Sequence, residues 1–101
     1  MFAEKPCSMA FSRPVEIPSL FWTFYEPRNH PVLKNGTITV YRNATDTIPL
    51  KSVEIPYQDP QGYVWRGITA FAGLTVSKVV VDPGDQDAGL NIDDITIRAA
   101  N

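Results

Sequence analysis

Five carboxylates fall within the sixteen residues "DPGDQDAGLNIDDITI", Asp82 to Ile97, with no Lys or Arg among them. Carboxylate oxygens at this density suit a hard cation, because calcium takes six to eight oxygen ligands. An EF-hand read from Asp85 puts Asp87 at the third position and Asp93 at the ninth. It then places Gly89 at the fifth, Leu90 where the loop needs glycine and Thr96 where it needs a bidentate glutamate, so the EF-hand is rejected. The remaining metal reading is a structural calcium held by Asp85, Asp87 and Asp93. The competing reading, which we prefer, is a polar turn, since Pro83-Gly84 and Ala88-Gly89 are turn formers and Asp supports local backbone hydrogen bonds.

Asp93 and Asp94 carry a second signal. Under strict strand alternation Leu90 and Ile92 share one face, while Ile95 and Ile97 share the other. One core can take all four only if the strand gains a residue, and a β-bulge at the Asp pair supplies it. Such a bulge is expected to turn one carboxylate inward onto neighbouring amides.

Aromatic residues offer the other chemistry. Sugar rings stack on exposed Trp or Tyr, and their hydroxyls are read by nearby polar side chains. Trp22, Tyr25, Tyr41, Tyr57, Tyr63 and Trp65 are available. Arg28, Asn29 and His30 lie in a long loop after the first strong strand, and loops commonly hold binding residues. Trp22 and Trp65 are expected in the core. Tyr25, Tyr57 and Tyr63, near strand ends, join Arg28, Asn29 and His30 as the expected ligand contacts. His30 has no second His and no nucleophile beside it, no Ser sits in a nucleophile-elbow context, and no carboxylate pair announces itself, so no catalytic residue and no enzyme activity are expected.

These residues need a scaffold, and 101 residues make one domain with one modest core. The composition, 44% apolar and 20% charged, is that of a folded chain, and nine prolines disfavour long helices. A net charge of −2 gives no electrostatic footprint for nucleic acid. No apolar run reaches the length of a membrane span. The single Cys7 has no internal disulfide partner and matches no metal spacing. The sequons at Asn35 and Asn43 matter only in a secreted eukaryotic chain.

Turn residues divide the sequence into short β-branched and aromatic segments. "VEIPSLFWTFYE" opens them, with Pro18 marking an edge, a bulge or a break. Asn35-Gly36 closes the following loop. "TITVYRN" alternates, with Ile38 and Val40 inward. "TIPLKSVEIPY", "YVWRGITAF", "TVSKVVVD" and "LNIDDITIRA" complete six strands. Six strands without helices predict an antiparallel β-sandwich spanning residues 1–101, with a closed barrel as the less favoured alternative.

The stretch "GYVWRGITAFAGLTVSKVVVDPGDQDAGLNIDDITI" resembles the C-terminal half of galactose-binding-like jelly-roll domains, the broad group that includes carbohydrate-binding modules. Gly67-Ile68-Thr69, Gly73, Val79 to Val81 and Ile92-Asp93-Asp94-Ile95 occupy the group's recurring places, and "GTITVYRN" resembles its aromatic-containing strand. The likeness spans roughly residues 14 to 98. It implies a jelly-roll sandwich and a lectin-like binding module, with calcium at Asp93 or Asp94 in some relatives. Further strands usually precede the part that corresponds to "SRPVEIPSL", and only thirteen residues precede Pro14 here, which bears on the site those strands help to form.

Non-catalytic carbohydrate binding is therefore the expected function, with a structural or protein–protein module of a larger assembly as the alternative. No resident cofactor is expected beyond that calcium. The N-terminus lacks the basic start and apolar run of a signal peptide. The chain is then either cytosolic or an excised piece of a longer exported protein, and of the two an extracellular or cell-surface place is the expectation, its oligomeric state left open.

Overall fold

A computed structural model describes residues 2–3, 5–25, 35–56, 65–84 and 89–100. The described elements are all strands: β1 (Phe2–Ala3), β2 (Cys7–Tyr25), β3 (Gly36–Tyr41), β4 (Lys51–Ile55), β5 (Arg66–Ile68), β6 (Val76–Asp82) and β7 (Gly89–Ala99). They join into one antiparallel sheet in the order β1-β7-β2-β6-β3-β4, with β5 also paired to β2. The all-β class stands. The architecture seen is a single curled sheet, a half-barrel, where strand spacing suggested two packed layers.

The longest strand explains the curl. Nineteen residues fully extended would span roughly 60 Å, yet the longest dimension of the molecule is 45 Å. β2 therefore has to bend, and it does so at irregularities near its two prolines. Between Ala10 and Val15 it advances five residues while β6 retreats only from Lys78 to Val76. Between Glu16 and Ser19 it advances three residues against two on β7, from Arg98 to Thr96. Pro14 and Pro18 lie in these two intervals, where a residue with no N–H costs no ladder bond. Pro18 thus marks a bulge, one of the outcomes its sequence position allowed.

The second irregularity changes which residues face inward. Ile17 is buried before it, and Leu20 and Trp22 after it. β7 answers with a bulge of its own: from Thr96 to Asp93 it spends three residues against two on β2, Ser19 to Phe21. Asp94 at this point has φ 49°, the left-handed region that Asp tolerates better than most side chains. The bulge expected from the phase of the isoleucines is present. Leu90 and Ile92 are buried, and Ile95 packs against the core. Ile97 stays 49% exposed, so it does not join them. The expectation of an inward carboxylate is corrected: both Asp93 and Asp94 are exposed, and Asp93 Oδ1 accepts the Asp94 N–H at 2.8 Å. The carboxylate caps its own bulge from outside.

The core lies on the concave side, where Ile38, Val40, Ile55, Val76, Val79, Val81, Leu90 and Ile92 are buried. β3 alternates buried and half-buried positions without exception, as its sequence pattern predicts. Phe71 fills this core from outside the regular strands. Pairing of β5 ends at Ile68, and Thr69 accepts from the Ala72 N–H while Phe71 accepts from the Leu74 N–H. This turn displaces the strand expected to run on to Phe71 and sends the ring inward, leaving it 1% exposed.

The same turn is clamped by one side chain. Gly73 N–H donates to Glu16 Oε2 at 2.6 Å, and Arg98 Nε donates to Glu16 Oε1. Glu16 thus ties β2 to the Phe71 turn and to the far end of β7. Lys51 Nζ holds the turn from β4 through the Ala70 carbonyl, at 2.9 Å. The Arg98 hydrogen bond, followed by that from the Gly73 amide, holds the Glu16 carboxyl below the usual carboxylate range.

Two outcomes follow for stability. Phe71→Ala is expected to cost about 3–5 kcal/mol in denaturant unfolding, the range for emptying a buried phenylalanine site. For Glu16, a folded pKa below the unfolded one means its stabilisation is complete above the ordinary glutamate pKa and is lost as pH falls through the folded value. Glu16→Gln should accordingly be less stable than the parent at neutral pH, and the gap should close on the acid side of that range. A gap that stays constant across the acid titration would contradict the clamp.

Candidate functional site

Phe21 sits where β2 runs between two partners, paired to Gly67 of β5 on one side and to Asp93 of β7 on the other. Leu20 and Trp22 beside it point into the core, so alternation directs Phe21 to the outer face, where it is 39% exposed. Gly67 provides the room. A Cβ at that position would stand 3.0 Å from Cε2 and 3.2 Å from Cζ of the Phe21 ring, so the ring lies against the bare glycine backbone.

Trp65 immediately precedes β5 and shares the face of Gly67, two residues on. It is 41% exposed, which corrects its expected place in the core. One step beyond the Trp22–Arg66 pair, Trp65 stands opposite Thr23, which is only 4% exposed although it too belongs to the outer face. The outer face here is an aromatic surface: two rings, each about two-fifths exposed, flanking a glycine. Asp93 lies beside Phe21 with its carboxylate exposed, and Asn91, paired with Thr23, is half-buried.

Trp22 is buried, as expected, at 3% exposure. Tyr41 is not available in the same way, because Lys78 Nζ lies 4.3 Å from its ring centroid and covers a face. The side chains of Tyr25, Arg28, Asn29, His30, Tyr57 and Tyr63 lie outside the described residues, as do Asp85 and Asp87. What the fold does define is where their segments attach. Tyr25, the last residue of β2, pairs with Gly89, and Trp65 stands near that end, one residue before the Arg66–Trp22 pair. Gly36 pairs with Ile55 and Thr37 with Asp82 at the other end, where Val81 meets Cys7, the first residue of β2. Residues 26–34, 57–64 and 85–88 thus each join strand ends that lie at opposite ends of β2.

The end of the sheet holding Asp82 and Gly36 is fixed by a close backbone contact. Gly84 has φ 82° and donates its N–H to Asp82 Oδ1 at 2.8 Å, and a Cβ there would meet the Asn35 carbonyl oxygen at 2.1 Å. Asp82 therefore serves a turn, as the turn reading of its stretch has it. Asn35 Nδ2 donates to Glu54 Oε1 across the same end. No group of three or more His, Cys, Asp or Glu able to hold a metal occurs among the described residues, and Asp93 is the one proposed ligand that falls within them.

A second concavity, of about 480 Å³, lies at the opposite end between β3 and β4, lined by Arg42 and residues 45–50. Its shape comes from an internal turn: Asp46 N–H donates to the Asn43 carbonyl, and Asp46 Oδ2 accepts from the Asn43 backbone and side-chain amides. Among its lining residues, Asp46 is engaged in the loop's own folding.

Sequence reasoning placed the stacking residues in loops and missed the sheet face. The available signal was the Trp65-Arg66-Gly67 order, since a glycine two residues after a tryptophan leaves space beside it on the same face. No protein-family model, curated protein or solved structure matches the chain.

Proposed function

We propose that the chain is a non-catalytic carbohydrate-binding module that contacts its ligand through the outer-face surface of Phe21 and Trp65. The observation that carries this reading is the pair of exposed rings on one sheet face beside Gly67. Large aromatics left in water at a rigid sheet lose burial worth roughly 1.5–3 kcal/mol each, and clustered exposed apolar surface marks a binding site. The apolar C–H face of a pyranose matches such a surface, and its rim hydroxyls match carboxylates and amides such as Asp93 and Asn91. Residues 26–34 leave β2 at Tyr25 and residues 57–64 end at Trp65, so Tyr25, Arg28, Asn29, His30, Tyr57 and Tyr63 would extend the contact. The galactose-binding-like jelly-roll resemblance, and a place within a longer exported protein, belong to this reading. A binding role rather than a hydrolytic one is supported by the commitments of Glu16 and Glu54, each already engaged by other side chains.

A glycan array followed by calorimetry on the best polysaccharide tests it. Trp65→Ala and Phe21→Ala should each weaken binding by about tenfold or more, the loss expected of a stacking anchor. Trp65→Ala should keep nearly the parental unfolding midpoint, and Phe21→Ala, whose ring covers Gly67, should lower it by less than Phe71→Ala does. Absence of any glycan ligand, or undiminished binding by both variants, rejects the reading in favour of a structural or protein-binding module.

A further inference from the structure

β7 has two long edges that are treated differently. One is paired along its length to β2, from Gly89 opposite Tyr25 to Ala99 opposite Val15. The other is paired to β1 only at Leu90 and Asn91. Beyond the bulge at Asp94, residues 95–99 have no strand partner on that side among the described residues. Thr96, Ile97, Arg98 and Ala99 are exposed, so nothing else covers them. An extended segment with β-branched side chains and outward N–H and C=O groups is a template for another strand.

The opposite edge of the sheet differs. β4 carries Lys51 and Glu54, both held within the molecule, and Pro56 follows it directly. Charge and proline are the usual means by which an edge is closed to further pairing. Residues 95–99, Ile-Thr-Ile-Arg-Ala, contain no proline and one charge, and they expose Ile97 by 49%.

The occupant is indicated by the order of the residues. Two copies of this segment, antiparallel about Thr96, bring Ile95 of one copy opposite the partner's Ile97. Asp94 then comes beside the partner's Arg98. The side chain of Arg98 is 67% exposed while only its Nε is engaged by Glu16 in the Arg98–Glu16 pair. A guanidinium has five N–H donors, so it can serve a second carboxylate. The match repeats on the other side of the twofold axis, as an isologous interface requires. A parallel pairing would instead oppose Asp94 to Asp94 and Arg98 to Arg98.

We propose that the chain forms a homodimer through antiparallel pairing of the β7 edge, residues 94–98, with the two sheets joined across a twofold axis at Thr96. The pairing does not depend on the carbohydrate reading. Directly opposed residues in such a ladder have Cβ atoms about 4.5–5.5 Å apart, a small adjustment from disulfide geometry.

The test uses sedimentation and cysteine cross-linking. The parent should show a concentration-dependent dimer, and Ile97→Lys should weaken it by at least about tenfold, with an unchanged thermal melt. In a Cys7→Ser background, Thr96→Cys should oxidise to a disulfide-linked dimer, whereas Ser52→Cys on the β4 edge should not. A parent that stays monomeric at every concentration overturns the proposal. So does preferential cross-linking at Ser52→Cys, or an Ile97→Lys variant that dimerises as the parent does. If Ile97→Lys fails to fold, the Thr96→Cys and Ser52→Cys comparison decides alone.

Discussion

One strand must serve partners on both sides along different parts of its length, and the molecule is arranged around that demand. β2 binds β6 with its first half, β5 with its second, and β7 from Val15 onward. A straight strand of this length would exceed the molecule, and a strand of constant phase would turn Leu20 and Trp22 outward. The bulge at Pro18 resolves both difficulties, because an inserted residue bends a strand and inverts its faces together. It also creates a difficulty for β7, whose residues must keep facing the same core. The compensating bulge at Asp94 restores the match, so that the register beyond the two bulges is the register before them. The two irregularities are one device. Neither would be tolerable without the other.

This explains why some of the fold could be read from residues and some could not. The alternation of Ile38 and Val40, the phase break between Ile92 and Ile95, and the turn at Asp82-Pro83-Gly84 are local patterns, and each reappears where expected. The first half of β2 was not legible. "CSMAFSRP" does alternate, with Cys7, Met9 and Phe11 half-buried and Ser8, Ala10 and Ser12 exposed, but the run is short and ends at a proline, and its partner β6 lies about seventy residues away in sequence. The Phe71 turn was equally hidden, because a ring at the end of an apolar run reads as strand. The Thr69–Ala72 and Phe71–Leu74 hydrogen bonds, with the Lys51 contact to residue 70 and the Glu16 contact to residue 73, show that the chain leaves the sheet there.

The candidate site was half legible for a related reason. Periodicity states that Trp65 and Arg66 face opposite ways, but it does not say which way is in. Arg66 takes the core side of the ladder, paired to Trp22, and it is still exposed because β5 lies at the end of the sheet where the interior opens. A tryptophan is a poor residue to leave in water and an arginine a poor one to bury, so intuition inverts the pair. The geometry of the sheet end overrules it.

Phe21 and Phe71 show what separates a structural aromatic from an available one. Phe71 is 1% exposed and surrounded by the strands that define the core, and the turn that carries it is clamped from two directions. Phe21 is 39% exposed and leans on a residue without a side chain. Covering a strand glycine with a neighbouring ring is itself a stabilising arrangement, and for Phe21 alone it would be a sufficient account. It does not extend to Trp65, which no glycine requires at its own position and which presents a comparable area to solvent from the same face. A sheet needing only its glycine covered would need one ring. Two exposed rings on one face, near the end of β2 where Tyr25 pairs with Gly89, leave more apolar surface in water than the cover of one glycine explains.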